Sequence, residues 1–106
     1  MIRVLICDDQ AVVRDGLEAI LSTDDEIEVV GVARHGEEAL ALAAERRPDV
    51  ILMDLKMPVM NGVQATGQLR DRQPAIRVLI LTTYADDAWV LDAVRAPEIG
   101  ERLVHL

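Results

Sequence analysis

The chain has 106 residues, with 19 Asp and Glu against 11 Lys and Arg, for a formal net charge of −8. Hydrophobic residues make up 51% and aromatics 2%, with a single cysteine, which excludes a disordered segment, a disulfide framework and a thiolate metal cluster. This length supports one domain with its own core, and the acidic balance argues against unaided binding of nucleic acid or an anionic membrane.

Five segments read as strands: Ile2–Cys7, Ile27–Ala33, Val50–Asp54, Arg77–Thr82 and a weaker Arg102–Leu106. They are nearly continuous runs of Val, Ile and Leu, as strands covered on both faces are. Successive starts lie 23 to 27 residues apart, the length of one strand, one helix and two short loops. Between them fall four helical patterns. Val13, Leu17, Ile20 and Leu21 form the first apolar stripe. The second runs over Gly36–Arg47, with Ala39, Leu40, Ala43 and Ala44 inward and Pro48 as its stop. The third covers Gly62–Arg72, weakened by Thr66 and Gly67. The fourth follows Asp86, an expected N-cap, with Val90, Ala93 and Val94 inward, and stops before Pro97.

Strict alternation of strand and helix predicts right-handed crossovers, a parallel sheet and helices on both faces: a doubly wound α/β domain. No apolar run nears the roughly 18 residues of a membrane span, and Val4–Cys7 is too short for a signal peptide, so a cytoplasmic protein is expected.

Ligands of such sheets bind beyond the carboxyl ends of the strands, where the winding reverses. The first strand ends in Asp8-Asp9, the third in Asp54 and the fourth in Thr82-Thr83-Tyr84. In the flavodoxin-like order 2-1-3-4-5 the first and third strands are neighbours, so three carboxylates converge on one crevice. Their mutual repulsion calls for a hard divalent cation, and Mg²⁺ suits oxygen ligands with few carboxylates. Asp54, alone on the central strand, is then the candidate nucleophile toward a phosphoryl group, with Thr82 as a hydroxyl able to bond a phosphoryl oxygen. The plainer alternative is that Asp8 and Asp9 cap the next helix and Asp54 is a strand-end turn residue.

The segments VLICDD (4–9), DLKMPVMNG (54–62) and LILTTY (79–84) resemble the receiver domain of bacterial two-component response regulators, in wording closest to the NarL/FixJ (LuxR-type) subfamily. The resemblance covers residues 1–96, expected as a receiver domain, with 97–106 an atypical tail that includes the fifth-strand candidate. It implies that Asp54 accepts a phosphoryl group from a sensor histidine kinase. It further implies that Asp8, Asp9, Asp54 and the main-chain carbonyl of Lys56 hold Mg²⁺ and that Thr82 is the switch hydroxyl. The implied role is transcription regulation by a full-length regulator, with no enzymatic turnover beyond the domain's own phosphotransfer and dephosphorylation.

The pattern breaks after Ala96. The family's lysine at the end of the fifth strand has no counterpart, since Lys56 is the chain's single lysine, and the last strand and helix are degenerate or missing. No DNA-binding output domain is expected, hence no direct contact with nucleic acid. A homodimer or strand exchange would cover the face a final helix leaves bare. Two alternatives stand beside the phosphoacceptor: a degenerate receiver that only dimerises or binds partners, and a Mg²⁺-dependent phosphohydrolase. The latter is weakened by Lys56, where such enzymes place a second aspartate.

Among the other residues, Cys7 reads as a core residue, His35 and His105 as surface or edge positions, and Trp89 as packing or surface. Asp24-Asp25-Glu26 reads as a solvated turn, and Glu45-Arg46-Arg47 as a helix's polar face.

Overall fold

In a computed structural model, residues 1–54, 60–81, 87–95 and 101–104 are described. The elements run β1 (Ile2–Cys7), α1 (Ala11–Leu21), β2 (Ile27–Ala33), α2 (Gly36–Arg46), β3 (Val50–Asp54), α3 (Gly62–Arg72), β4 (Arg77–Leu81), α4 (Asp87–Arg95) and β5 (Glu101–Val104). All strand pairs are parallel, in the order β2-β1-β3-β4-β5, as the alternation predicts. The fifth strand exists, one residue earlier than expected at its start, and pairs Val78 through Leu81 with Glu101 through Val104. Thr82, the expected end of β4, the Asp86 cap, Trp89's side chain and His105 lie outside the described residues.

The sheet separates two apolar layers, because successive strand residues point to opposite faces. On one face Val4, Ile6, Val50, Leu52 and Leu79 pack against Leu17 and Leu21 of α1 and Val90, Ala93 and Val94 of α4. On the other, Leu5, Cys7, Ile51, Met53 and Val78 meet Ala39 and Ala43 of α2 and Ala65 and Leu69 of α3. Strands buried on both sides explain the unbroken apolar runs of the sequence.

The placement of α4 corrects one expectation. The β1-α1-β2 and β3-α3-β4 units step in opposite directions with helices on opposite faces, and so share a hand. The β4-α4-β5 unit steps the same way as β3-α3-β4, yet its helix lies on the α1 face. Its crossover therefore has the opposite hand, against the usual rule. Helix α4 lies beside α1, and its Val90, Ala93 and Val94 are buried in the same apolar layer as Leu17, Leu21, Leu52 and Leu79.

Local signals set the helix ends. Asn61 caps α3 in a reciprocal box, its Oδ1 accepting from the Gln64 N–H at 2.9 Å while the Asn61 N–H donates to Gln64 Oε1 at 3.2 Å. His35 is no idle surface residue: its Nδ1 accepts from the Glu38 N–H at 3.2 Å and caps α2. Arg47 ends α2 in the left-handed region at φ 45°.

Candidate functional site

The register pairs Cys7 with Met53, so the next residues, Asp8 and Asp54, leave the sheet side by side at the carboxyl ends of β1 and β3. One carboxylate oxygen from each of Asp8, Asp9 and Asp54 lies within 4.8 Å of the other two. Asp8 is 6% exposed, Asp54 is half-buried and Asp9 is exposed. The structure thus brings together the three predicted carboxylates. Lys56 and Thr82, the other predicted site residues, lie outside the described residues.

Asp8 is held at three points. Its N–H donates to the Ala33 carbonyl at 3.1 Å, its Oδ1 accepts from the Gln10 N–H at 2.9 Å, and its main-chain carbonyl accepts from Arg14 Nη1 at 2.9 Å. Burial pushes the Asp8 carboxyl above the usual carboxylate range. The Gln10 N–H works against that shift, and the carboxylates of Asp54 and Asp9 add to it. The plainer reading of Asp8 and Asp9 as helix caps does not hold, because the N-cap of α1 is Gln10, with no side-chain cap bond.

Beneath the carboxylates, Cys7 is fully buried, and its Sγ donates to the His35 carbonyl at 3.5 Å. Burial first, then the Asp8 and Asp54 charges, push its thiol up to about 12, so it stays protonated and unreactive, as a core residue should.

The far end of the β3–α3 connection is fastened to α2. The Gly36 N–H donates to the Met60 carbonyl at 2.9 Å, and a Cβ on Gly36 would stand 2.5 Å from that oxygen. Glycine is required there by close approach of two backbones. Gln10, Arg14 and Gly36 are the supporting residues that pattern reading missed. A Gly directly after a polar residue at a helix start was the one visible signal, since Arg14 looks like any polar-face residue of α1.

The donor set fits a small hard cation. Three carboxylates supply oxygen ligands alone, and oxygens that all lie within 4.8 Å of one another are near enough to share one such ion. A buried carboxylate repelled by two neighbouring ones is also what a divalent charge would relieve.

A five-stranded parallel sheet with an acidic crevice where its winding reverses defines a doubly wound α/β domain. A family model described as "Response regulator receiver domain" matches residues 4–99, and the chain belongs to that family. It is 44% identical over 100 residues to the transcriptional regulatory protein LnrK of Bacillus subtilis, covering 94% of this chain and 46% of that protein. To the response regulator protein VraR of Staphylococcus aureus it is 48% identical over 95 residues, covering 90% of this chain and 46% of VraR. The chain therefore spans about half the length of these relatives. Among solved structures, the receiver domain of the putative response regulator NarL from Mycobacterium tuberculosis matches with a TM-score of 0.75 at 34% identity, covering 96% of this chain and 82% of that one. The response regulator domain of Thermotoga maritima CheB matches with a TM-score of 0.76 at 34% identity, covering 97% and 78%. Among the described residues no helix is long and apolar enough to cross a membrane.

Proposed function

We propose that this domain is a phosphoacceptor switch in which Asp54 takes a phosphoryl group from a phosphohistidine of a sensor kinase. The observation that carries the reading is the convergence of Asp8, Asp9 and Asp54 at the ends of two adjacent strands. An Asp54 oxygen attacks phosphorus, the P–N bond breaks with its electron pair going to the histidine nitrogen, and a P–O bond to the carboxylate forms. Asp54 is half-buried at the carboxyl end of β3, so part of its carboxylate is accessible to a kinase. Asp8 and Asp9 with Asp54 and the Lys56 carbonyl are the proposed holders of Mg²⁺. When bound, the ion would screen the carboxylates and stabilise charge on the transferring group. Thr82 follows Leu81, the register partner of Asp54, and is the proposed switch hydroxyl.

On this reading residues 1–96 form the signalling unit, at work in the cytoplasm, and the phosphorylated domain changes a protein surface used for homodimerisation or strand exchange. In a full-length regulator that change would control transcription, the DNA contact belonging to a part other than this domain. The chain itself receives a phosphoryl group rather than turning over an external substrate.

The competing reading, a binding module that no longer takes phosphate, is favoured by the absence of any lysine besides Lys56. Intact mass after incubation with Mg²⁺ and acetyl phosphate separates the two. One acid-labile phosphoryl group, lost in Asp54→Asn, is the expected result. No addition to a folded, Mg²⁺-binding chain would overturn the phosphoacceptor in favour of the binding module.

A further inference from the structure

We infer that Arg14 is a positioning residue for the acidic pocket, acting through the Asp8–Asp9 peptide; the inference rests on the metal-binding reading above. The N-cap Gln10 makes no side-chain cap bond, so the restraint on the turn from β1 into α1 comes from Asp8 Oδ1, which accepts from the Gln10 N–H at 2.9 Å. Arg14 supplies a second from the other direction. Half-buried on the second turn of α1, it reaches back with Nη1 to the main-chain carbonyl of Asp8 at 2.9 Å.

That carbonyl belongs to the peptide joining the two acidic residues. Its orientation sets the direction in which Asp9 leaves the strand, while Gln10 and Ala33 hold the Asp8 side chain and N–H. Asp8 and Asp54 are placed by the sheet register. Asp9, exposed and beyond the last paired residue of β1, depends on the turn, which Arg14 holds together with the Gln10–Asp8 bond. The guanidinium also brings positive charge to the acidic strand end, where it opposes the rise of the Cys7 thiol. Arg34, the neighbouring cation on the β2–α2 connection, is engaged instead with Glu38 at 3.2 Å.

A residue that fixes a ligand from outside the coordination sphere shows itself in metal affinity more than in fold stability. Replacing such a partner costs about 10- to 100-fold in affinity. The test is calorimetric titration of Mg²⁺ into the wild-type chain, Arg14→Met and Arg14→Lys, well below each melting temperature. Methionine keeps the apolar stem and removes the donors, whereas lysine keeps a charged N–H donor. The expected result is a Kd raised about tenfold or more in Arg14→Met, with Arg14→Lys nearer the wild type.

A Mg²⁺ affinity unchanged in Arg14→Met, whatever its melting temperature, would reduce Arg14 to a stability role and overturn the inference. If Arg14→Met does not fold, the wild type decides by NMR. The Arg14 Nε–H resonance is then expected to shift with the same Mg²⁺ midpoint as the Asp9 amide, and an unmoved resonance overturns the inference. Asp54→Asn serves as the control. If the wild type binds no Mg²⁺, the metal-binding reading fails and takes the Arg14 role with it. If Asp54→Asn weakens binding and Arg14→Met does not, only the Arg14 role fails.

Discussion

Arg95, the last residue of α4, donates from both Nε and Nη2 to the same Asp24 oxygen at 2.5 Å, across 71 positions of sequence. Asp24 is turned further into place by the Glu26 N–H, which donates to its other oxygen at 3.0 Å. A second arginine secures the same helix end: Arg77 of β4 donates to the Val94 carbonyl at 2.5 Å and the Ala93 carbonyl at 3.4 Å. Positive charge at a helix C-terminus is favourable in itself, and here it also answers carbonyls left without helical partners. These contacts fix α4 on the α1 face, where Val90, Ala93 and Val94 enter the core. The turn that reads as solvated in the sequence is in fact where α4 is moored.

The mooring has a pH signature. The Arg95 guanidinium holds the Asp24 carboxyl below its ordinary 3.8. A carboxyl lowered in the folded state contributes stability that is fully present above the unfolded value of 3.8 and is lost as pH falls through the lower folded value. Asp24→Asn should therefore lower the melting temperature at pH 7, and the difference from wild type should vanish in strong acid. Because the Arg95 side chain is half exposed, molar salt should also shrink the coupling seen in an Asp24→Asn, Arg95→Gln double-mutant cycle. A difference that persists below pH 2 would assign the effect to packing instead.

The strands, the order of the sheet and the meeting of Asp8, Asp9 and Asp54 were legible because each follows from local pattern plus the topology of alternating units. The side taken by α4 was not. Val90, Ala93 and Val94 announce an apolar stripe, but a stripe does not say which face of the sheet receives it, nor that Arg95 meets the distant Asp24. Arg46 was likewise hidden: it reads as polar helix surface, yet its Nη1 donates to the Val30 carbonyl on β2. The Asn61 capping box was readable, since Asn followed three residues later by Gln is its signature.

The carboxylate cluster makes a prediction about metal removal. Burial and the neighbouring carboxylates raise the Asp8 carboxyl, so its ionised form opposes folding when no cation is present. In EDTA the domain should gain stability as pH falls from neutral through the raised Asp8 value, and Asp8→Asn should melt higher than wild type at pH 7. With Mg²⁺ at 100 times its Kd the order should reverse, since the wild type then gains about 2.7 kcal/mol and the variant, short of a ligand, gains less. Thermal melts in EDTA and in saturating Mg²⁺ check both halves. An Asp8→Asn variant that melts lower in both would deny the repulsion.

Three glycines should answer alanine with opposite signs. Gly16 and Gly67 lie inside α1 and α3, and a Cβ at either meets nothing within 4 Å. Gly16→Ala and Gly67→Ala should each stabilise by roughly 0.5–1 kcal/mol through lower chain entropy in the unfolded state. Gly36→Ala places its Cβ 2.5 Å from the Met60 carbonyl, which is backbone and yields poorly. It should destabilise by about 1–3 kcal/mol and disturb the connection that follows Asp54. Denaturant midpoints of the three variants give the signs directly.

Thr66 sits on the buried side of α3 at 3% exposure, and its hydroxyl is the buried side-chain polar atom without a hydrogen-bond partner among the described residues. A hydroxyl taken from water and left unpaired costs about 1–3 kcal/mol, whereas a methyl in the same space costs nothing of the kind. Thr66→Val keeps the branched shape and should stabilise the domain by about 1 kcal/mol, a rise of roughly 4–8 °C in melting temperature for a chain near this size. Thr66→Ser is the informative counterpart: it keeps the unpaired hydroxyl, loses a packed methyl and should destabilise. If Thr66→Val instead lowers the melting temperature, the hydroxyl is bonded in solution, and the stability it adds to α3 belongs to that bond.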